Sequence, residues 1–475
     1  MSEAVGFRSE RGPLLVAMML ATGLVAIDST VIATAVTTIV DDLGGFSSFP
    51  WLFSGYLLAS AVTVPVYAKL ADTIGRKPIM LWGIAVFLLG SILCGVAWDM
   101  PSLIVFRAVQ GIGAGAVLPM AITMVGDIYT LEERARVQGY MASVWAIAAV
   151  VGPVLGGLFA QLDLWRGIFL INIPLCLLAG WMIWSRFRER IEPRRHRIDY
   201  AGAALLTVSM TLLILGVLQG GAAWAWDSAP SLTVFGLGAL LLVAFVLVER
   251  RAAEPVLPFW VLRRRLLLTT NLLGFCIGVA LIGLTEYVPT FLTVTTGAAP
   301  LVAGLALGAL TLGWPVAAAV AGRLYLRFGF RPTTILGAGI LVLGTSSLAL
   351  STLAPSIWLV AGICAVIGAG FGFSAVTSLV ASQSSVAWHE RGVVTGTQMF
   401  FRSIGQSIGA AALGATANAV LLAHVGDETD PAAMSAAAGA VFAVTAVVTV
   451  LLLVAAIAMP NVRASDVAPD AGSTA

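Results

Sequence analysis

Apolar residues in this chain come in blocks of about 20, the length an α-helix needs to cross about 30 Å of hydrocarbon. The blocks recur from Pro13 to Met459 with only short polar breaks between them. No water-soluble fold of this size is compatible with that pattern. Only 11% of the 475 residues are charged, against roughly 25% in an ordinary soluble domain. The mean hydropathy is +0.98. The 50 glycines and 20 prolines lie mostly within the apolar blocks, where membrane helices tolerate both and small residues allow close helix approach. The fold class expected is therefore an all-α membrane protein.

The spans read as 13–38, 48–70, 78–97, 102–125, 136–161, 165–185, 200–219, 230–249, 267–292, 300–323, 333–352, 356–382, 393–423 and 436–459. That makes fourteen, with both termini on one side. The first block follows Arg8 and Arg11 as a signal peptide would, but it is too long for a signal h-region and Asp28 interrupts it. It is read as a retained helix.

Charge supports the count. All but three of the 26 Lys and Arg fall on the side of the termini, including Arg186, Arg188, Arg190, Arg194, Arg195, Arg197 and Arg263 to Arg265. The exceptions are Arg166 on the other side, and Arg107 and Arg402 within spans. The opposite loops carry Asp41, Asp42, Asp99, Asp163, Asp227, Asp427, Glu428 and Asp430. The positive-inside rule then places both termini in the cytoplasm of a cell with the chain in its cytoplasmic (inner) membrane. Cys94, Cys176, Cys276 and Cys364 all sit in apolar stretches and read as small packing residues.

A segment between spans two and three, Lys69-Leu-Ala-Asp72-Thr-Ile-Gly75-Arg76-Lys77-Pro78, returns as Arg323-Leu-Tyr-Leu326-Arg-Phe-Gly329-Phe-Arg331-Pro332. A second echo pairs Glu133-Arg134 and Gly139 with Glu390-Arg391 and Gly396. A parallel repeat of this kind implies two homologous bundles related by an axis along the membrane normal.

In these residues the chain resembles the major facilitator superfamily, and within it the fourteen-helix drug/proton antiporter branch. Lys69 to Pro78 is similar to the family's signature loop. Arg107-Ala-Val-Gln110-Gly111-Ile-Gly113-Ala-Gly115 is similar to its fourth-helix motif, and Gly152-Pro153-Val-Leu-Gly156-Gly157 to its fifth-helix antiporter motif. Ile27 to Ile32 and Trp165 to Pro174 resemble first- and sixth-helix motifs of the branch, although Ala33, Thr34 and Thr38 depart from the usual first-helix continuation. The resemblance implies two six-helix bundles, at 1–190 and 266–460. Two inserted helices with their linkers (191–265) would lie between them, and a cytoplasmic tail (461–475) would follow.

Ionisable groups inside hydrocarbon are costly and mark function by default. Asp28 lies about fifteen residues into its span, about 22 Å at 1.5 Å per residue. Arg107 enters from the outer face, so the two can meet. Opposite charge favours an ionised carboxylate and burial a neutral one, so such a group can take up a proton in one conformation and release it in another. The resemblance implicates both residues in proton coupling; a static packing pair is the plainer reading. Glu286, in Thr285-Glu286-Tyr287-Val288-Pro289, either takes part in proton coupling, neutralises a cationic substrate or reaches the outer interface. Arg402 either faces substrate or snorkels toward the cytoplasmic side.

Asp72, Gly75, Arg76 and Lys77, with Asp127 and Arg134 or Arg136 nearby, make a candidate conformational latch. The resemblance implies that Asp72 faces the positive end of a helix dipole across the boundary between halves. Leu326 replaces the aspartate in the second copy, which would make the latch one-sided. Gly152, Pro153, Gly156 and Gly157 are a candidate helix bend, with close packing as the alternative. Gln398, Trp145 and Trp314, with Glu286 and Arg402, are candidates for a substrate cavity, as are Met124, Phe275 and Phe291, although packing or lipid contact is the plainer use for any one of these aromatics and methionines.

No phosphate-binding Gly-x-x-x-x-Gly-Lys-Ser/Thr loop occurs, and His196, His389 and His424 lack metal-site spacing. No enzyme activity, cofactor, metal or nucleic-acid partner is expected. The expected partners are the lipid bilayer, protons and a small amphipathic substrate, handled by a monomer. The expected function is proton-coupled export of amphipathic or cationic compounds by alternating access. The alternatives are a dedicated exporter of one endogenous lipid, peptide or metabolite, or a membrane sensor that moves nothing.

Overall fold

Each apolar block folds as a helix, and the short polar breaks supply the caps. The computed structural model describes residues 6–7, 9–44, 51–189, 199–220, 224–252, 258–423 and 430–462. The first half comprises α1 (Gly12–Leu43), α2 (Trp51–Ile74), α3 (Arg76–Gly95), α4 (Met100–Ile128), α5 (Leu131–Gln161), the short α6 (Gly167–Leu170) and α7 (Asn172–Arg186). An inserted pair, α8 (Tyr200–Gln219) and α9 (Ala229–Glu249), and a short α10 (Phe259–Arg263) follow. The second half contains α11 (Arg265–Thr296), α12 (Pro300–Phe328), α13 (Phe330–Ser351), α14 (Ile357–Ser384), α15 (Arg391–Ala423) and α16 (Pro431–Ala458).

Thirteen of these segments are long and apolar enough to cross a membrane, with α6 and α7 acting together as one. The fourteenth is α8, whose apolar stretch is Ala201–Val217 and whose 20 residues span about 30 Å. The expected linker arginines Arg190, Arg194, Arg195 and Arg197 lie outside the described residues, as do Asp427, Glu428 and the tail from 463 onward.

Two local features explain departures from simple spans. The sixth span loses regular helical bonding at Ile171 between α6 and α7, although the backbone there stays helical (φ −61°, ψ −23°). Pro174 has no N–H for the Leu170 carbonyl, and its ring crowds that carbonyl, so one rung of the ladder is missing. The first helix runs on to Leu43, carrying Asp41 and Asp42 on its last turn. Helix starts use side-chain caps: Asp99 with Ser102 opens α4 and Thr130 with Glu133 opens α5, both as reciprocal capping boxes.

Within the first half α1 packs on α5 and α7, and α4 on α2 and α3. The glycines of α4 permit this. A Cβ on Gly113 would lie 2.7 Å from the Gly83 carbonyl and from Phe87 Cα, on the α3 side. One on Gly115 would lie 2.7 Å from the Ser60 carbonyl, on the α2 side. The second half repeats the plan, with α12 on α14, α11 on α15 and α16, and α13 on α14 and α16. The halves meet along two flanks, α5 against α12 and α2 against α15. The inserted pair packs on itself, and α8 covers the second flank where Val62, Leu206, Met210, Ile214, Phe245 and Phe400 form one apolar cluster.

The repeat read from sequence is present in the backbone. Gly75 (φ 104°) and Gly329 (φ 95°) both adopt the positive φ open to glycine and both begin the next helix. The same turn is built twice.

Candidate functional site

Asp28 and Arg107 meet. The Arg107 guanidinium donates to the Asp28 carboxylate at 2.6 Å, and the two are 0% and 1% exposed. Around them Gln110 donates to Asp28 (2.8 Å) and Ser91 (2.8 Å) and accepts from Arg107 (2.6 Å). Asn172, at the start of α7, donates to Asp28 and Ser91, each at 3.2 Å. The face of Tyr56 lies 4.1 Å from the guanidinium carbon. One carboxylate thus ties α1 to α4 and α7, accepting a hydrogen bond from each partner. Gln110 and Asn172 were visible as motif residues; Ser91 and Tyr56 were not, since their place depends on how α2 and α3 cross α4.

The latch residues converge on the side of the termini. Asp72 accepts the backbone N–H of Val393 (2.7 Å) and Gly392 (3.2 Å) at the start of α15, and an Arg76 hydrogen bond at 2.7 Å. The first turn of a helix presents free N–H groups and a partial positive charge, so this carboxylate binds the second half from the first. Arg76 also donates to Asp127 (3.0 Å) and to the Trp388 carbonyl (2.9 Å), with its guanidinium 4.0 Å from the Trp388 ring centroid. Arg391 reaches Asp127 at 3.6 Å. Arg391 and Arg134, corresponding residues of the second echo, both donate to the carbonyl of Gly126. Glu189, absent from the sequence reading, accepts the backbone N–H groups of Arg76 and Lys77, and Lys77 donates to the carbonyls of Trp184 and Phe187. Gly75 serves by its backbone turn alone.

On the opposite side Asp42 accepts from Arg166 (2.7 Å) and the Trp165 indole (3.0 Å), and Arg166 also donates to the Ala97 carbonyl. The Arg166 hydrogen bond, then that of Trp165, holds the Asp42 carboxyl below its ordinary pKa. This clasp joins the ends of α1 and α3 to the loop before α6.

The other expected residues are scattered. The α5 helix runs unbroken through Gly152, Gly156 and Gly157; Gly152 lies against Thr30 and Val31 of α1, so close packing is its visible use. The Pro153 side chain lies outside the described part. Gln398, expected at the cavity, is 7% exposed and donates to the Thr270 carbonyl and Ser378; its amide is used in packing α15 on α11 and α14. Trp145 is 40% exposed on α5. Trp314 stacks on Phe371 at 5.2 Å, and the Arg402 guanidinium lies 5.6 Å from its ring centroid. Arg402 is about 17 Å from the start of α15 and Glu286 about 32 Å from the start of the adjoining α11. The exposed Glu286 is therefore not brought to Arg402. Among the described residues no group of His, Cys, Asp or Glu is placed to hold a metal ion, and the four cysteines are buried and unpaired as disulfides.

A family model described as Major Facilitator Superfamily matches residues 18–410. The chain is similar to multidrug transporter protein MdtP of Bacillus subtilis (strain 168), at 35% identity over 416 residues, 87% of this chain and 76% of that protein. It is also similar to multidrug resistance protein 3 of the same organism, at 34% over 419 residues, 87% of this chain and 81% of that protein. Among solved structures, the human organic anion transporter MFSD10 (TETRAN) matches with TM-score 0.66 at 15% identity, covering 94% of this chain and 99% of that one. The proton:xylose symporter XylE matches with TM-score 0.63 at 14% identity, covering 92% and 94%. At such identities the structural likeness is one of fold.

Proposed function

The chain belongs to the Major Facilitator Superfamily, a multi-pass membrane transporter with multidrug efflux relatives, and from that premise we propose that it exports amphipathic compounds, cationic ones among them, in exchange for protons. The reading includes a cytoplasmic-membrane location, cytoplasmic termini and a monomer that works by alternating access.

The observation that carries the proton reading is the sealed Asp28 network. A proton arriving at Asp28 cancels the charge that holds Arg107 at 2.6 Å and turns an acceptor-only group into one that must donate. The hold of α1 on α4 and α7 changes with it. A buried ion pair whose one member titrates gives the two states different helix contacts, which antiport requires. The latch supports alternating access in the same way: Asp72 binds the start of α15 only while the terminal side is closed. Substrate would enter between the halves when Val393 and Gly392 release that carboxylate.

The test is energised uptake of ethidium into inverted vesicles with an acid interior, the direction that corresponds to efflux from the cell. Asp28→Asn is expected to reach the membrane and fold, yet lose energised transport, and a protonophore is expected to stop the parent. Full energised efflux by the mutant would remove Asp28 from coupling. A parent that moves no dye of a broad panel would favour a dedicated exporter.

A further inference from the structure

The Asp28–Arg107 pair neutralises itself, and the latch charges neutralise one another. Arg402 does neither. Among the described residues it has no hydrogen bond and no carboxylate within ion-pair distance; its contact is the Trp314 ring face. An arginine deep in a membrane span needs a counter-charge or water, and the described residues supply no counter-charge to this one.

Its surroundings have the form of a subsite. On α15 the glycines Gly405 and Gly409 face Phe275 and Val279 of α11, while Phe400 packs toward α8. Between those faces the helix presents Arg402, Ser403 and Gln406, all half-buried although α15 is held by helices on both sides. That face looks across to Trp314 on α12, which stacks on Phe371 of α14 at an interplanar angle of 26°. A cation beside a supported aromatic face, with hydroxyl and amide groups around it, suits an oxyanion attached to an apolar body. Guanidinium offers two parallel N–H groups to such an anion, and the indole offers a flat apolar wall.

We propose that Arg402 and Trp314 form an anion-binding subsite for the head of an amphipathic carboxylate or related oxyanion. The inference rests on the transporter reading and narrows it: anionic amphiphiles join the expected cationic ones as substrates. The exposed Glu286 lies about 15 Å further along the bundle.

The test is binding, which needs no transport. The purified full chain in neutral maltoside micelles is titrated with 11-(dansylamino)undecanoic acid, its methyl ester and the matching amine. Dansyl emission under Trp excitation is the readout, with empty micelles subtracted. The acid is expected to bind at least about tenfold tighter than the ester, and the amine no tighter than the ester. Arg402→Gln is expected to make acid and ester equal, Arg402→Lys to retain part of the preference, and Trp314→Leu to weaken all three probes. Equal binding of acid and ester by the parent overturns the proposal without any variant. So does an acid preference that survives Arg402→Gln in monodisperse protein. Displacement of the acid by phosphatidylglycerol with the same Arg402 dependence would support the subsite and identify a lipid as the anion's source. If the preference holds while vesicles show no energised movement, the transporter mechanism fails and the subsite stands. If transport proceeds without the preference, the reverse is true.

Discussion

Asp72→Asn isolates the contact that joins the two halves on the side of the termini. The carboxylate accepts from Val393, Gly392 and Arg76 at 2.7, 3.2 and 2.7 Å, and Asp72 and Arg76 are 7% and 1% exposed at their side chains. An asparagine keeps one acceptor oxygen but turns a donor toward the second site and removes the charge. Breaking a buried pair by deleting one partner costs about 3–5 kcal/mol. Arg76 keeps Asp127 at 3.0 Å and the Trp388 carbonyl at 2.9 Å, which lowers the loss. A charge at a helix N-terminus contributes up to about 2 kcal/mol of it in a partly buried site. The expected net loss is about 2–3 kcal/mol, felt only where the halves touch. At about 1.4 kcal/mol per tenfold, the open-to-closed ratio on this side rises about 30- to 150-fold. The assay is a distance distribution between labels at Ile74→Cys at the end of α2 and Ala387→Cys just before α15, two exposed positions on the flank that Asp72 holds. The native cysteines are 0–7% exposed, so they add little label. The long-distance population should grow in Asp72→Asn and return in a charge-retaining Asp72→Glu. Superimposable distributions with and without the aspartate would refute the latch.

Three further outcomes follow from the same geometry. Arg107→Gln leaves Asp28 buried without its cation, so thermal stability in detergent should fall by about 3–5 kcal/mol; pairing it with Asp28→Asn should recover a large part, as a double-mutant cycle would measure. Gly113→Leu forces α4 away from the Gly83 carbonyl and Phe87, and should cost about 1–3 kcal/mol or more of stability, read as protein surviving heating; unchanged survival would contradict the tight α3–α4 crossing. Asp42, whose folded pKa is lowered by Arg166 and Trp165, contributes stability above its unfolded value of about 3.9 and loses it as pH falls through the lower folded value. The stability gap between the parent and Asp42→Asn should therefore be flat from about pH 5 to 7 and close in stronger acid; a gap that widens on acidification would show the sign is wrong.

How much of this was legible in sequence differs by link. Helix number and type follow from one solvent constraint, apolar length, and α8 begins and ends where the apolar pattern does. The meeting of Asp28 with Arg107 was readable because depth along a span is arithmetic. Ser91 and Tyr56 were not readable, because whether a side chain reaches a partner on another helix depends on crossing angle and rotation. Gln398 shows the same limit from the other direction. It sits one turn from Arg402, yet its amide closes on Thr270 and Ser378 instead of facing open space. The lost helical bonding at Ile171 had a local cause, Pro174, that a reading by blocks passed over because hydropathy continues through it.

Gene-like duplication of the turn is complete in backbone, as Gly75 and Gly329 share the same positive φ, but its chemistry has diverged. Where the first copy places Asp72 and Arg76, the second places Leu326 and Phe330, and Phe330 stacks on Tyr325 at 5.3 Å beside Leu131 of the first half. Among the described residues one flank is thus held by a charged network, and the other mainly by apolar area, with one tyrosine hydroxyl and the Arg134–Ser384 hydrogen bond beside it. Apolar contact is non-directional and tolerates small rotations, whereas hydrogen bonds of 2.7–3.2 Å do not. When the charged flank releases, the apolar flank can rotate without separating. Alternating access built on this chain would therefore break ions at α2 and α15 while α5 and α12 roll against each other.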